Sequence, residues 1–106
     1  MASVVITKDA ERDLQDIFDF IATHDSAARA ETFLRELERS VLSLDRHAAR
    51  AKVVPELAAL GMPHYRQLIA KPYRVIYQLR DAYVFVVLIA DSRRDMQSLL
   101  QQRLLR

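Results

Sequence analysis

Nine consecutive apolar residues, from Ala82 to Ala90, set the tightest limit on how this chain can fold. The run is about half of the roughly 18 residues that a membrane-spanning helix needs, so it is too short to cross a bilayer. It is rich in β-branched and aromatic residues, which favour a strand. Because such a strand is apolar on both faces, each face must be covered at least in part. The run therefore predicts a central strand, Tyr83 to Ala90, in the sheet of a globular domain.

Two more strands are predicted before this one, where the apolar pattern repeats every second residue. They cover Tyr65 to Ala70 and Tyr73 to Leu79, and Pro72 interrupts the pattern between them. Arg80 to Ala82 forms a tight turn into the central strand. Because consecutive strands joined by short turns pair antiparallel, the three strands form a meander.

The first half of the chain has helical periodicity instead. A short strand, Ser3 to Ile6, is followed by Thr7, whose hydroxyl can cap a helix. The apolar stripe of this helix consists of Ala10, Leu14, Ile17, Phe18 and Ile21, and its polar face of Glu11, Arg12, Asp13, Gln15, Asp16 and Asp19. Asp25 or Ser26 caps a second helix that extends to about Leu44. Two long helices joined by so short a turn must lie antiparallel, as a helical hairpin.

The remaining elements are short. The segment from Asp45 to Pro63 lacks periodicity except for one helical turn between Pro55 and Gly61, and a last helix begins at Met96. The fold class is therefore α+β: an N-terminal strand, an antiparallel helical hairpin packed on a small antiparallel β-sheet, and a short C-terminal helix. A chain of 106 residues has room for one core, so residues 1–106 form a single domain.

The composition argues against most catalytic and metal-binding sites. The chain has no Cys and one Gly, which excludes disulfides and thiolate chemistry and disfavours a Gly-rich phosphate loop. Its three histidines, His24, His47 and His64, lie in different predicted segments and are interpreted as solvated surface residues. We therefore expect no metal and no cofactor. The first residues lack the features of a secretion signal, which favours the cytoplasm.

Positive charge is concentrated in the second half of the chain. Residues 1–50 carry a net charge of −3 and residues 51–106 a net charge of +5. Five arginines lie on or beside the predicted strands: Arg66, Arg74, Arg80, Arg93 and Arg94. If Arg66 and Arg74 share one face of adjacent strands, they form a guanidinium cluster at a sheet edge that can bind phosphates or carboxylates through paired hydrogen bonds. The alternative is that these arginines are solvated and that a strand-rich half simply carries few acids.

A family resemblance rests on segments from both halves of the chain. In the C-terminal half these are Tyr73 to Tyr77, the tight turn, the apolar strand and the triplet Arg93 to Asp95. Upstream they are Ala10 to Ile17, Val54 to Leu57 and Tyr65 to Leu68, in the same order and spacing. In these segments the chain resembles the RelE/ParE toxins of bacterial toxin–antitoxin modules. The resemblance spans nearly the whole chain, and the element order inferred above is the fold of that family.

The resemblance implies one of two activities. RelE-like members cut mRNA in the ribosomal A site, and Arg74 and Arg93 match the arginines that would stabilise the developing charge. The C-terminal aromatic acid or base of those enzymes would fall near Leu99, but Met96 to Arg106 contains no Tyr, His, Asp or Glu. This difference favours the ParE-like members, which inhibit DNA gyrase and have no recognised active site. We therefore interpret the chain as a non-enzymatic ParE-like toxin. A RelE-like, ribosome-dependent mRNA endonuclease is the alternative, and a structural or adaptor domain outside the family is a third.

The resemblance also implies a ParD-like antitoxin that forms a hetero-oligomer with the toxin. A helical hairpin on one sheet face would leave the other face and an edge strand uncovered. The isolated chain is therefore expected to be poorly soluble or toxic. The antitoxin is expected to cover the apolar strand. The expected antitoxin contacts are Tyr73, Tyr77, Tyr83 and Phe85. The five arginines are expected to serve toxicity or partner binding. Replacing Arg74 or Arg93 is expected to have little effect on stability. No membrane contact is expected, and direct binding of nucleic acid is left open.

Overall fold

The computed structural model describes residues 3–104. Its elements in chain order are β1 (Ser3–Ile6), α1 (Lys8–His24), α2 (Ala27–Leu42), α3 (Leu44–His47), a 3-10 turn (Ala48–Arg50), β2 (Lys52–Val53), α4 (Pro55–Ala58), β3 (Tyr65–Ala70), β4 (Tyr73–Arg80), β5 (Tyr83–Asp91) and α5 (Met96–Leu104). The order of the predicted strands and long helices is confirmed.

Polar side chains begin the two long helices where the sequence predicts. The Thr7 hydroxyl oxygen lies 3.3 Å from the Ala10 backbone nitrogen, and that of Ser26 lies 3.1 Å from the Arg29 backbone nitrogen, so each accepts a first-turn N–H of its helix. The Thr7 hydroxyl also donates to the Val86 carbonyl at 2.8 Å. The start of α1 is therefore fixed directly to the central strand.

The five strands form one mixed sheet in the order β1-β5-β4-β3-β2. The predicted antiparallel meander of β3, β4 and β5 is present. The sheet is not wholly antiparallel, because β1 pairs parallel to β5 with Ser3 opposite Tyr83. Parallel pairing needs a long crossover rather than a tight turn, and here all the elements from α1 to β4 lie between the two strands. The second edge strand, β2, pairs with β3. β2 lies in the segment from Asp45 to Pro63, where the sequence predicts no strand.

One face of the sheet is covered by the helical hairpin and the other is covered in part by shorter helices. On one face, the α1–α2 hairpin packs on odd-numbered residues of β4, and the core contains Val75, Tyr77, Val84, Val86, Leu37 and Val41. On the other face, α4 and α5 cover a second core that contains Ile76, Leu88, Ala90, Leu57, Met96 and Leu100. The prediction that this second face is left open is therefore wrong for the end of β5, whereas Tyr83 at the start of β5 is 49% exposed on that face. The short helices α4 and α5 supply the missing layer.

Candidate functional site

Arg74 is held by the protein's own carboxylate. Its two terminal nitrogens each donate to one oxygen of Glu56 at 2.9 Å, and its Nε donates to Gln67 Oε1 at 2.9 Å. The Arg74 side chain is 11% exposed. Glu56 lies in the first turn of α4, directly after Pro55, so this fork joins α4 to β4. The hydrogen bond from Arg74 lowers the pKa of Glu56, which keeps the carboxylate ionised.

Arg66 and Arg74 lie on opposite faces of the sheet. Residues directly opposite each other on paired strands share a face. Arg66 lies opposite Tyr77, on the hairpin face, whereas Arg74 lies opposite Ile69, on the other face. Arg66 donates to the Ala51 carbonyl at 2.8 Å. The guanidinium cluster of Arg66 and Arg74 that the sequence suggested is therefore wrong.

Arg80 lies close to Tyr83 and Phe85, two of the predicted antitoxin contacts. The guanidinium carbon of Arg80 is 5.9 Å from the centre of the Phe85 ring. That ring stacks on Tyr83 with a centroid distance of 5.8 Å. In register, Arg80 lies opposite Tyr83, so these three side chains share the face opposite the helical hairpin. Tyr83 is 49% exposed, and it remains accessible to a partner.

The two remaining predicted tyrosines belong to the interior. Tyr77 is fully buried, and its hydroxyl donates to the carbonyl of Ala48. Burial raises the pKa of the Tyr77 hydroxyl, so it stays protonated. This side chain cannot contact a partner on the surface of the folded chain, and its predicted role is wrong. Tyr73 is also buried, with its ring 5.2 Å from that of Phe33, but one side of it reaches the groove described below.

Arg93 is exposed and paired with the last residue of the central strand. It donates to Asp91 through Nε at 3.0 Å, through a terminal nitrogen at 2.6 Å and through its backbone N–H at 2.8 Å. These hydrogen bonds are the main reason why the pKa of Asp91 falls to about 2. Arg94 is exposed and makes no salt bridge to residues 3–104, although its charge adds to the lowering of the Asp91 pKa. Of the five predicted arginines, Arg94 is the one with an unpaired charge next to a concave surface.

That concave surface lies between α1 and the end of β5, and we refer to it as the α1–β5 groove. Its volume is about 420 Å³. Asp16, Ile17 and Phe20 form the α1 wall, Tyr73 and Ile89 the floor, and Arg94 part of the opposite wall. The groove combines an apolar surface with charges of both signs on its rim.

An ion pair that the sequence does not predict includes Asp13, which lines this groove. Asp13 Oδ1 and Oδ2 accept from the two terminal nitrogens of Arg103 at 2.9 and 3.0 Å, and Oδ2 also accepts the backbone N–H of Ile89 at 3.0 Å. Arg103 further donates to the Val87 carbonyl at 2.9 Å. The pair thus satisfies backbone groups of β5 beyond the end of β1. The signal was helical spacing: Asp13 lies three residues after Ala10, which is buried, and four before Ile17, so it faces the sheet and not solvent.

Comparison with known proteins assigns the family. Residues 4–96 match the family model described as the ParE toxin of type II toxin–antitoxin systems, parDE. The chain belongs to this family. A solved chain from the chromosomal ParDE toxin–antitoxin system of P. aeruginosa matches it with a TM-score of 0.73 at 19% sequence identity, covering 86% of this chain and 96% of that chain. At that identity the likeness concerns the fold, and it confirms the predicted α+β architecture. No curated protein matches the chain.

Three residues bear on the RelE-like alternative that the resemblance implies. Arg74 and Arg93 are both paired with carboxylates, and Leu99 is partly buried against the second core. Across residues 3–104 there is no group of three side chains suited to hold a metal ion. Over the same residues, no helix is long and apolar enough to cross a membrane.

Proposed function

We propose that this ParE-family toxin acts by binding DNA gyrase and inhibiting it, and that a ParD-like antitoxin neutralises it. The observation that best supports binding over catalysis is the fork between Arg74 and Glu56. An arginine that stabilises a phosphate in a transition state must present its N–H groups to developing negative charge. Here the two terminal nitrogens of Arg74 already donate to Glu56, so the local charge is neutralised.

A comparison of the two arginines supports the same proposal. Freeing Arg74 for a phosphate would leave Glu56 without its partner in a partly buried position, which carries a desolvation penalty. Arg93 is more exposed and could exchange Asp91 for another anion at lower cost. Within residues 3–104, the only carboxylate bonded to Arg93 is Asp91, whose pKa of about 2 makes it a weak base at neutral pH, so this exposed arginine fits a contact at a protein surface better than a cleavage site. The protein would act in the cytoplasm, where gyrase supercoils DNA.

The proposal is tested by two assays on the same toxin preparation. The toxin is purified as a complex with its antitoxin, separated under denaturing conditions and refolded. We expect it to reduce supercoiling of relaxed plasmid by gyrase, or to increase the cleaved DNA recovered after detergent and protease treatment. Labelled mRNA in a translation reaction should remain uncut. Codon-positioned cuts that disappear in Arg93→Ala, or in an Arg74→Ala variant shown to be folded, together with normal supercoiling, would establish the RelE-like alternative instead.

A further inference from the structure

A group of cations lies at the edge of the sheet that β2 forms. Arg50 and Lys52 flank Ala51 in the chain, and a terminal nitrogen of Arg66 on β3 donates to the Ala51 carbonyl at 2.8 Å. The other nitrogens of Arg66 make no hydrogen bond within residues 3–104. We refer to Arg50, Lys52 and Arg66 as the β2 basic cluster. Arg46, about one helical turn before Arg50, adds a further positive charge to the same segment.

Carboxylates do not neutralise the β2 basic cluster. Across residues 3–104, none of its members forms a salt bridge. The sequence has no acid between Arg46 and Pro55, and the next acid along the chain, Glu56, is already bound to Arg74. Arg50 and Lys52 are exposed. The donor groups of the cluster are therefore available to an anion from outside the chain.

The free edge of β2 adds a backbone donor. Val54 donates its N–H to the Tyr65 carbonyl at 3.1 Å, toward β3. Because successive residues of a strand point their N–H groups to opposite sides, the Val53 N–H points away from the sheet. Val53 lies opposite Arg66 in the register, so this donor lies beside the cluster. Backbone N–H groups and Arg and Lys side chains together make most phosphate contacts in protein–DNA interfaces.

Little apolar surface adjoins the β2 basic cluster. Interfaces between proteins have an apolar centre from which charged residues are depleted. Among residues 46–55, all of which the structure describes, the one exposed large apolar residue is Val53, at 37%. Binding to a phosphate backbone depends instead on cations that displace counterions, and it requires no apolar surface. The cluster therefore favours a nucleic-acid backbone over an acidic protein surface.

We propose that the β2 basic cluster binds the phosphate backbone of duplex DNA, and that the toxin uses it to contact the DNA on which gyrase acts. The second part rests on the proposed function, namely that gyrase is the target. Three cations and the Val53 N–H contact neighbouring phosphates without reading the bases. The affinity is therefore independent of DNA sequence and falls steeply with salt.

The first test measures DNA affinity for a cluster variant and a matched control by the fluorescence anisotropy of a short labelled duplex. Arg50→Glu with Lys52→Glu changes the cluster, and Arg66 is kept because it contacts Ala51. Arg12→Glu with Lys71→Glu changes the net charge equally, at exposed positions on α1 and in the turn after β3.

We expect the cluster variant to raise the Kd for DNA by about tenfold or more and the control variant by less than about threefold. For the wild type, about three neutralised phosphates should raise the Kd about fortyfold between about 50 and 200 mM salt. The thermal midpoint of each variant shows whether it is folded. Equal changes in the two variants, or wild-type affinity in the cluster variant, would mean that the cluster is not a DNA site.

The second test places the same variants in the gyrase supercoiling assay. Half inhibition should need about fivefold more of the cluster variant than of the wild type, and an unchanged amount of the control. If the cluster variant keeps its DNA affinity but loses affinity for gyrase without DNA, the cluster contacts an acidic protein surface and the DNA proposal is wrong. If it loses DNA affinity but inhibits gyrase like the wild type, the second part of the proposal is wrong. If the wild type does not inhibit gyrase, the proposed function is wrong, and the anisotropy assay alone decides the DNA site.

Discussion

The fork between Arg74 and Glu56 is the residue-level contact that connects the stability of this protein to its function. Side chains that project from a strand and from a short helix meet there, and they are 11% and 29% exposed. Exposed ion pairs contribute little, but a partly buried fork with two hydrogen bonds leaves a costly unpaired charge when one partner is removed. We therefore expect Arg74 to stabilise the fold, whereas the sequence predicted a small effect on stability.

We expect Arg74→Ala to lower the free energy of unfolding by about 2 kcal/mol, because Glu56 loses its partner. Arg74→Lys should lose part of this amount, since an ammonium group cannot form the planar fork. Arg80→Ala, on the same strand but exposed, is the matched control and should cost no more than about 0.5 kcal/mol. Urea unfolding measures all three. Equal losses for Arg74→Ala and Arg80→Ala would show that the fork does not stabilise the fold.

The fork between Arg74 and Glu56 also makes the free energy of unfolding depend on pH. The pKa of Glu56 is lowered in the folded protein, from an ordinary value of 4.5. A lowered acid pKa stabilises the fold above the unfolded value and loses that contribution as the pH falls through the folded value. The stability difference between the wild type and Glu56→Gln should therefore be full at pH 7 and shrink as the pH falls below about 4.5. Asp91, whose pKa is about 2, adds acid sensitivity that remains in Glu56→Gln.

At the scale of elements, the Asp13–Arg103 pair joins three parts of the fold. Asp13 belongs to α1, Arg103 to α5, and both bind backbone groups of β5. Both side chains are 15% exposed. Arg103 Nε is buried without a hydrogen bond and lies 3.8 Å from Asp9 Oδ2, so the guanidinium depends on carboxylates of α1. The pair attaches the C-terminal helix to the edge of the central strand.

We expect Asp13→Ala to destabilise the protein by about 3 kcal/mol, since it removes both hydrogen bonds between Arg103 and a carboxylate and leaves the Ile89 N–H unpaired. Asp16→Ala, on the next turn of the same helix, should change the free energy of unfolding by less than about 0.5 kcal/mol. In a double-mutant cycle with Arg103→Ala, the double variant should lose about 2 kcal/mol less than the sum of the single variants. Additive losses would mean that the two residues stabilise the fold independently.

Local patterns predict the elements of this fold well, but contacts between elements depend on register. The period of two identifies β3, β4 and β5, and the caps Thr7 and Ser26 begin the long helices as predicted. A two-residue turn places Ala70 opposite Tyr73, and this register puts Arg66 and Arg74 on opposite faces. The faces of Arg66 and Arg74 could therefore be predicted from the sequence once the length of the turn was known.

Other features depend on pairing across long distances. No local sequence pattern predicts three of these features. They are the parallel pairing of β1 with β5, the short strand β2 and the packing of α4 and α5 on the second sheet face. Tyr77 lies within β4 and Tyr83 begins β5, and the two strands have similar compositions. Tyr77 is nevertheless fully buried, whereas Tyr83 is 49% exposed. The candidate site is therefore less predictable than the fold. Arg94 and Tyr83 remain available on the surface, while Tyr77 and Arg74 are committed to internal contacts.

For the whole molecule, we propose that the toxin stops gyrase by binding alone. The chain belongs to the ParE toxin family, and the arginines that a RelE-like nuclease would need are paired with carboxylates. An inhibitor of this kind leaves its target chemically unchanged, so a partner that removes the toxin should restore activity. A catalytic toxin would leave damage that the antitoxin cannot reverse.

The most direct measurement is supercoiling by gyrase after preincubation with the toxin, with and without later addition of the antitoxin. We expect supercoiling to fall as the ratio of toxin to gyrase rises and to recover once excess antitoxin is added. Full supercoiling at a large excess of folded toxin, or inhibition that persists after the antitoxin has bound all of the toxin, would contradict the claim.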